Sequence, residues 1–340
     1  MLSTRFLSNK FKSRISRFIT PKVPVHISRK FIKVDPAGMD EIATSLRQHY
    51  FSPSFVEERQ AQTLDMYLSS AAGHDDFTDH LHGRLDNFRH TVVPWLNDAH
   101  PLSGASILEI GCGTGSSTVA LAEQGAQVIA VDIDEESLAV AKDRCRVYGL
   151  SVDFCKANAT EVHTLFAGRH FDFVIFFAAL EHMTHDERMI AMEKTWHMLS
   201  RDDLWCVIET PNRLWYFDGH TSFLPFYLWL PDDLAFKYSR FSPRQSFCSS
   251  YREYNQSALF HFLRRGRGVS FHEFDLALKK AEELDVISSL PLYLRKKSLL
   301  REIGWRQTLE YRYESFLVAA GPAIHRGFYQ PGLDLIIRKD

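Results

Sequence analysis

Residues 107–115 read Ile107-Leu108-Glu109-Ile110-Gly111-Cys112-Gly113-Thr114-Gly115, a short apolar strand that runs straight into a glycine-rich turn. Glycine lacks a Cβ, so Gly111, Gly113 and Gly115 allow a tight turn whose backbone can approach a ligand closely. Ser116–Gln124 then reads as a helix, and its N-terminal amides and dipole face the same point. A second apolar strand, 128–131, ends in Asp132, a carboxylate able to accept two hydrogen bonds from a ribose diol. Beyond this pair the rhythm continues, with strands expected at 106–110, 127–131, 151–155, 171–177 and 204–209. Helices are expected between them at 116–124, 135–148 and 186–199. Such alternation argues for a parallel sheet with helices on both faces.

A glycine turn followed by an acid is shared by several nucleotide binders, so the spacing decides. The dinucleotide fingerprint places its third glycine three residues after the second. Here the third follows after two, and Glu109 stands just before the turn. Val131-Asp132-Ile133, Lys156-Ala157-Asn158-Ala159 and Phe171-Asp172-Phe173-Val174-Ile175-Phe176-Phe177 follow in order. In this ordered set the chain resembles the class I S-adenosylmethionine (SAM)-dependent methyltransferases, over roughly residues 105–211. The resemblance implies an α/β fold with a seven-stranded, mostly parallel sheet and helices on both faces. Its last strand, here Leu333–Ile337, is antiparallel. It also implies a helical N-terminal cap and two insertions at the carboxyl edge. The chain then divides into a basic segment 1–34, a helical cap 35–105 and a methyltransferase domain 106–340, with insertions at 212–256 and 276–331.

The implied cofactor is SAM. Glu109, Gly111, Gly113 and Gly115 would hold its methionine half, with Glu109 reaching the ammonium directly or through water. Asp132 would hold the ribose and Ile133 would lie against the adenine. Asn158, where the family usually has aspartate, offers a donor and an acceptor to an adenine edge, beside Ala159 and, at the next strand end, Phe177. On the acceptor side, Glu181 and His182 follow the strand 171–177, and Asp218 and His220 follow Thr210-Pro211-Asn212. A near-neutral imidazole suits removal of a hydroxyl proton, so His182, beside Glu181, is a candidate base, and Asp218 or His220 is a candidate to orient or deprotonate a substrate. An equally open alternative has Glu181 and His182 only bracing the strand end. Related ubiquinone-pathway enzymes carry Glu-x-x-Glu-His at this point as part of a metal site. The first of those glutamates is Ala178 here, so no metal is expected. Trp215, Tyr216 and Phe217 would wall the acceptor pocket, and Arg213 is a candidate partner for an anionic substrate.

Composition narrows the function classes. The 340 residues are 45% hydrophobic and 24% charged, ordinary for a globular enzyme, and no apolar run approaches the ~20 residues that span a bilayer. Five cysteines show no paired or metal-ligand spacing, which suggests a reducing compartment. Residues 1–34 hold nine Lys or Arg and no acid, leaving 31 basic against 42 acidic residues in the body. That acidic body, without an Asn-Pro-Pro-Tyr-type motif after residue 177, argues against nucleic acid as partner. The basic, serine-rich N-terminus fits a transit segment, a peripheral membrane helix or a solvated helix. The expected location is accordingly the cytoplasm, or the mitochondrial matrix or plastid. The expected function is O-methylation of a small molecule or a lipid or glycan intermediate. S- or N-methylation, or non-catalytic SAM binding in a regulatory protein, are the alternatives.

Overall fold

The computed structural model describes residues 31–51, 63–244, 247–248, 251 and 254–340. A capping residue before a proline predicts helix starts at Asp35-Pro36 and Ser52-Pro53; the second, like the expectations for residues 1–30, lies outside the described residues. The strands are β1 (Ser106–Ile110), β2 (Gln127–Asp132), β3 (Asp153–Lys156), β4 (Phe173–Phe177), β5 (Leu204–Pro211), β6 (Asp285–Ser289) and β7 (Gly332–Arg338). They form one sheet in the order β3-β2-β1-β4-β5-β7-β6. β1 to β5 run parallel, and β7 lies antiparallel between β5 and β6.

The helices used below are α1 (Pro36–Ser45), α2 (Ala71–Thr78), α3 (Val93–Ala99), α4 (Ser116–Ala122), α5 (Glu135–Val147), α6 (His185–Met198), α7 (Gln256–Leu263), α8 (Phe271–Ala277) and α9 (Leu309–Ala320). Asp35 caps α1 by accepting from the Gly38 amide at 2.8 Å, as the Asp35-Pro36 pair predicts. α2 continues toward α3 through two wide π turns, Asp79–Gly83 and Phe88–Val92. The buried strands are apolar on both faces, as expected for a covered parallel sheet. Ile107, Phe173, Ile175 and Ile208 pack with residues of α1, α3, α4 and α5. Their neighbours Leu108, Val174, Phe176 and Val207 pack with α6 and α8. Residues 31–34 are tied to this body: Ile32 donates to Glu123, and Arg89 donates to both Glu123 and the Ile32 carbonyl.

Alternation over Val269–Phe274 predicts a strand, and residues 276–331 read as mainly helical; both expectations need correction. Val269–Phe274 is not a strand. Val269 makes an isolated bridge to Asn212, and the chain turns into α8 with Phe274 and Ala277 buried on one face. Three residues apart is a helical period, and six residues are too few to separate it from alternation. The 276–331 insertion is mainly helical, yet it also contributes β6, the edge strand of the sheet. The first insertion carries an apolar cluster of Leu224, Tyr227, Phe236, Phe247 and Tyr251, joined by Phe262 of α7.

Candidate active site

The strand order reverses on either side of β1, so β1 and β4 mark the switch point where α/β sheets bind ligands. A cleft of about 370 Å³ opens there. Its floor is the glycine turn. Gly111 has φ +82°, and a Cβ on it would sit 2.7 Å from the Phe177 carbonyl oxygen. Gly115 has φ +80°, and a Cβ there would meet the backbone of Ala141 at 2.8 Å. At Gly113, by contrast, nothing lies within 4 Å, so this is where the turn leaves room for a ligand. Gly111, Gly113, Asp132, Ile133, Asn158, Ala159 and Phe177 all line the cleft, and the structure thus brings together most of the predicted binding residues.

The exceptions are informative. Gly115 lies behind the turn, as its packing on Ala141 requires. Glu109 is fully buried beneath the turn and is not part of the cleft wall. Its carboxylate accepts from the hydroxyls of Ser117 and Thr118, binding β1 to the first turn of α4. Direct reach to a ligand ammonium is therefore not what this geometry provides. Burial, only partly offset by those hydroxyls, pushes the Glu109 carboxyl up to about 7. For an acid raised in the folded state, stability is fullest below its ordinary value of 4.5 and declines as pH rises toward 7. Glu109→Gln should therefore give a flatter fall in unfolding free energy between pH 4.5 and 7, read by urea titration. An unchanged slope would reject the buried, protonated assignment.

Asp132 accepts from the Gly113 amide at 2.8 Å and the Asp134 amide at 2.9 Å. Burial raises its pKa, and these amides oppose the rise. The Asn158 carboxamide oxygen is taken by the amide and hydroxyl of Thr160, both at 3.0 Å. Only its NH2 is left to meet a ligand, so the expected two-way reading of an adenine edge reduces to donation. His80, Arg84 and Phe88 also line the cleft, and the π turns of the N-terminal cap place them there. Nothing in their own sequence neighbourhood marks them.

At the far end of the cleft, His182 and His220 stand with ring centroids 6.2 Å apart. Arg188 fixes the turn that carries His182 by donating to the Leu180 carbonyl, and it is itself held by Glu273 at 2.6 Å. His182 Nδ1 lies 2.9 Å from the Arg264 carbonyl, which can only accept, so Nδ1 carries the proton. The Thr221 hydroxyl donates to the Gly266 carbonyl and so accepts from His220 Nδ1 at 3.1 Å. Both Nε2 atoms are then basic, and they lie 3.9 and 3.8 Å from the same oxygen, Oε1 of Glu181. Glu181 is fully buried, its Oε2 accepts from Thr210, and Oε1 has no hydrogen-bond partner. That orphaned oxygen is placed to stabilise an imidazolium formed on either ring. Partial burial lowers the His220 pKa, with Glu181 opposing.

The Asp218 carboxylate is engaged within its own turn. It accepts from the amides of His220, Thr221 and Ser222 and from the Ser222 hydroxyl, which fixes the turn holding His220. Arg213 lies outside both cavities described here. Among the described residues, the group whose ligand atoms all lie within 4.8 Å of one another is His170, Asp172 and Asp203, at the opposite end of the sheet. There Asp172 and Asp203 accept from the Ser106 and Ser200 amides.

A second cavity of about 570 Å³ adjoins the cleft, and Glu209 and His220 line both. Trp215, Tyr216 and Phe217 wall it, joined by Trp305 and Glu310 from the second insertion. Glu209 was not anticipated. It sits at a bulge near the end of β5 with φ +59°, and its amide donates to Asp334 at 2.7 Å. Bulges beside active sites re-aim side chains, and strain in a non-glycine residue persists only where the surroundings enforce it. Burial raises the Glu209 pKa, countered by Arg84.

A sheet of this order, a glycine turn at its switch point and an acid on the neighbouring strand are features of class I SAM-dependent methyltransferase domains. A methyltransferase-domain family profile matches residues 107–202. Ubiquinone biosynthesis O-methyltransferase of Pseudomonas aeruginosa is 31% identical over 121 residues, covering 36% of this chain and 50% of that protein. Its namesake in Rhizobium etli is 35% identical over 89 residues, 26% of this chain and 35% of that one. The chain spans half the length, or less, of these curated relatives. Magnesium protoporphyrin IX methyltransferase from Synechocystis PCC 6803, solved with bound SAM, aligns at 23% identity over 51% of this chain and 77% of its own, with a TM-score of 0.36. The lining of the cleft is chemically matched to SAM. The turn left open at Gly113, the Asp132 carboxylate and the apolar shelf of Ile133 and Ala159 suit its amino-acid, ribose and adenine parts.

Proposed function

We propose that the chain transfers a methyl group from SAM to a hydroxyl oxygen of a small molecule. The observation that carries this reading is the convergence of two basic Nε2 atoms on the orphaned Glu181 oxygen, at the junction of the cofactor cleft and the aromatic cavity. The names of the relatives, O-methyltransferases, support oxygen as the acceptor atom.

When bound, SAM supplies a methyl group already activated by a positively charged sulfur. The protein's share is alignment, exclusion of water and proton removal. Gly111 and Gly113 would hold the methionine half, Asp132 the ribose, and Ile133, Asn158 and Ala159 the adenine. His220 Nε2 would take the acceptor's proton as its oxygen gained the methyl group, the electron pair of the broken bond remaining with the cofactor's sulfur. Glu181 stabilises the imidazolium that results, and Asp218 holds the turn that aims the ring.

Incubation with methyl-labelled SAM and fractionated cell extract tests the reading. Label is expected in low-molecular-weight compounds, as an ether stable to mild alkali. Label confined to RNA or protein, or no incorporation despite SAM binding, would overturn it.

A further inference from the structure

Among the described residues, the wall of the second cavity contains no lysine or arginine. Its aromatic faces come from Trp215, Tyr216, Phe217 and Trp305, and its acids are Glu209, Asp218 and Glu310. Asp218 is saturated by its own turn, whereas the Glu209 carboxylate receives no hydrogen bond from the described residues and Glu310 meets only the Tyr216 hydroxyl, at 3.5 Å. The cations behind the wall are already engaged. Arg295 stacks on Trp305 at 4.6 Å and donates to Glu314 and Gln330, and Arg326 and Arg306 pair with Glu314 and Glu302. Arg84 faces Glu209 only from the cofactor side, where it is bonded to Asp79. Deeper in, the unpartnered Oε1 of buried Glu181 points toward His220 at the cavity's inner end.

We propose that this cavity is the acceptor site and that it takes a cationic acceptor, an aromatic hydroxyl compound bearing an ammonium group. The assignment of the cavity rests on the methyl-transfer reading above; the charge preference is argued from the wall alone. Aromatic faces attract cations through their quadrupoles, and unpaired carboxylates add to that attraction in a partly desolvated site. A carboxylate or phosphate on the acceptor finds no donor cation here and meets two acids instead. The hydroxyl is directed to the inner end, marked by Glu209 and His220, which face both cavities. The ammonium is directed to Glu310, which faces only the second.

Binding, measured without turnover, is the direct test. Wild-type protein saturated with S-adenosylhomocysteine is titrated at pH 7 with tyramine, with neutral 4-ethylphenol and with anionic 4-hydroxyphenylacetate. Quenching of tryptophan fluorescence and calorimetry are the readouts. Tyramine is expected to bind at least tenfold more tightly than 4-hydroxyphenylacetate, with 4-ethylphenol between them. Glu310→Gln should shrink that ratio at least threefold while leaving affinity for S-adenosylhomocysteine unchanged. Equal or tighter binding of the anion, no binding of tyramine at millimolar concentration, or an unchanged ratio in Glu310→Gln would overturn the proposal. If tyramine binds with the expected preference and labelled extract yields no methyl ether, the oxygen-transfer reading fails and the charge preference stands.

Discussion

His220→Ala should lower turnover by about 10²–10⁴ while SAM affinity stays within twofold of wild type. The magnitude follows from what the ring does in this geometry. Nδ1 is committed to Thr221, Nε2 is free, and Glu181 lies 3.8 Å away to accept the charge that develops. The groups facing the ring are Glu181, His182, Asp218 and Arg244, and the sum of burial and these charges lowers its pKa below the histidine value of 6.5. A base works in its neutral form, so wild-type turnover should persist at pH 6.5 and fall only as pH drops further. The variant should lose that acid limb. His182→Ala should cost less than tenfold, because its Nδ1 is anchored to the Arg264 carbonyl and its exposed ring borders only the cofactor cleft. Steady-state rates with any acceptor identified by labelling, measured across pH 5–9, decide the point. Near-normal turnover in both variants would mean transfer by proximity alone, and a thioether or amine acceptor would then fit better.

How far the sequence carries this picture differs from element to element. The run from Ile107 to Gly115 is legible because strand, turn and helix each leave a local mark: apolar residues, glycines at fixed spacing, then a helical period. β6 leaves almost none. Asp285-Val286-Ile287-Ser288-Ser289 is an edge strand with two serines, embedded among helices, and its identity is set by pairing with β7 and by Ser288 accepting from Trp95 of α3. The binding acids show the same division. That Glu109 matters is visible from its place before the turn. That its carboxylate faces inward depends on Ser117 and Thr118 meeting it across the turn, a tertiary fact. His80, Arg84 and Glu310 reach the site from segments far from any motif, and only packing brings them there. Glu209 had a readable clue, an acid at the carboxyl end of a strand, next to a segment already suspected. The bulge that aims it has no sequence mark.

Asp132→Ala should weaken SAM binding at least tenfold, and more at neutral than at acidic pH, because acid favours the uncharged carboxyl. In this structure the carboxylate already bridges two elements, accepting from Gly113 in the turn and from Asp134 ahead of α5. It therefore does two things that alanine cannot: it offers charged acceptors to a diol, and it fixes the turn at the one glycine left open to a ligand. Loss of two charge-assisted hydrogen bonds costs roughly 2–4 kcal/mol, and each ~1.4 kcal/mol is tenfold in affinity. Asp132→Asn separates the two contributions, since its single oxygen can keep one amide while the negative charge is gone. If charge dominates, asparagine binds SAM nearly as poorly as alanine; if turn geometry dominates, asparagine recovers most of the affinity. The raised pKa adds an independent signature. An acid whose pKa is raised loses its charge earlier as pH falls, so wild-type affinity should begin to drop above the usual aspartate range, and neither variant should show that drop. Calorimetry of SAM against the three proteins at pH 5 and pH 7.5, with thermal unfolding to verify folding, settles it. Wild-type affinity in Asp132→Ala would remove the acid from the cofactor site and leave the glycine turn to hold SAM alone.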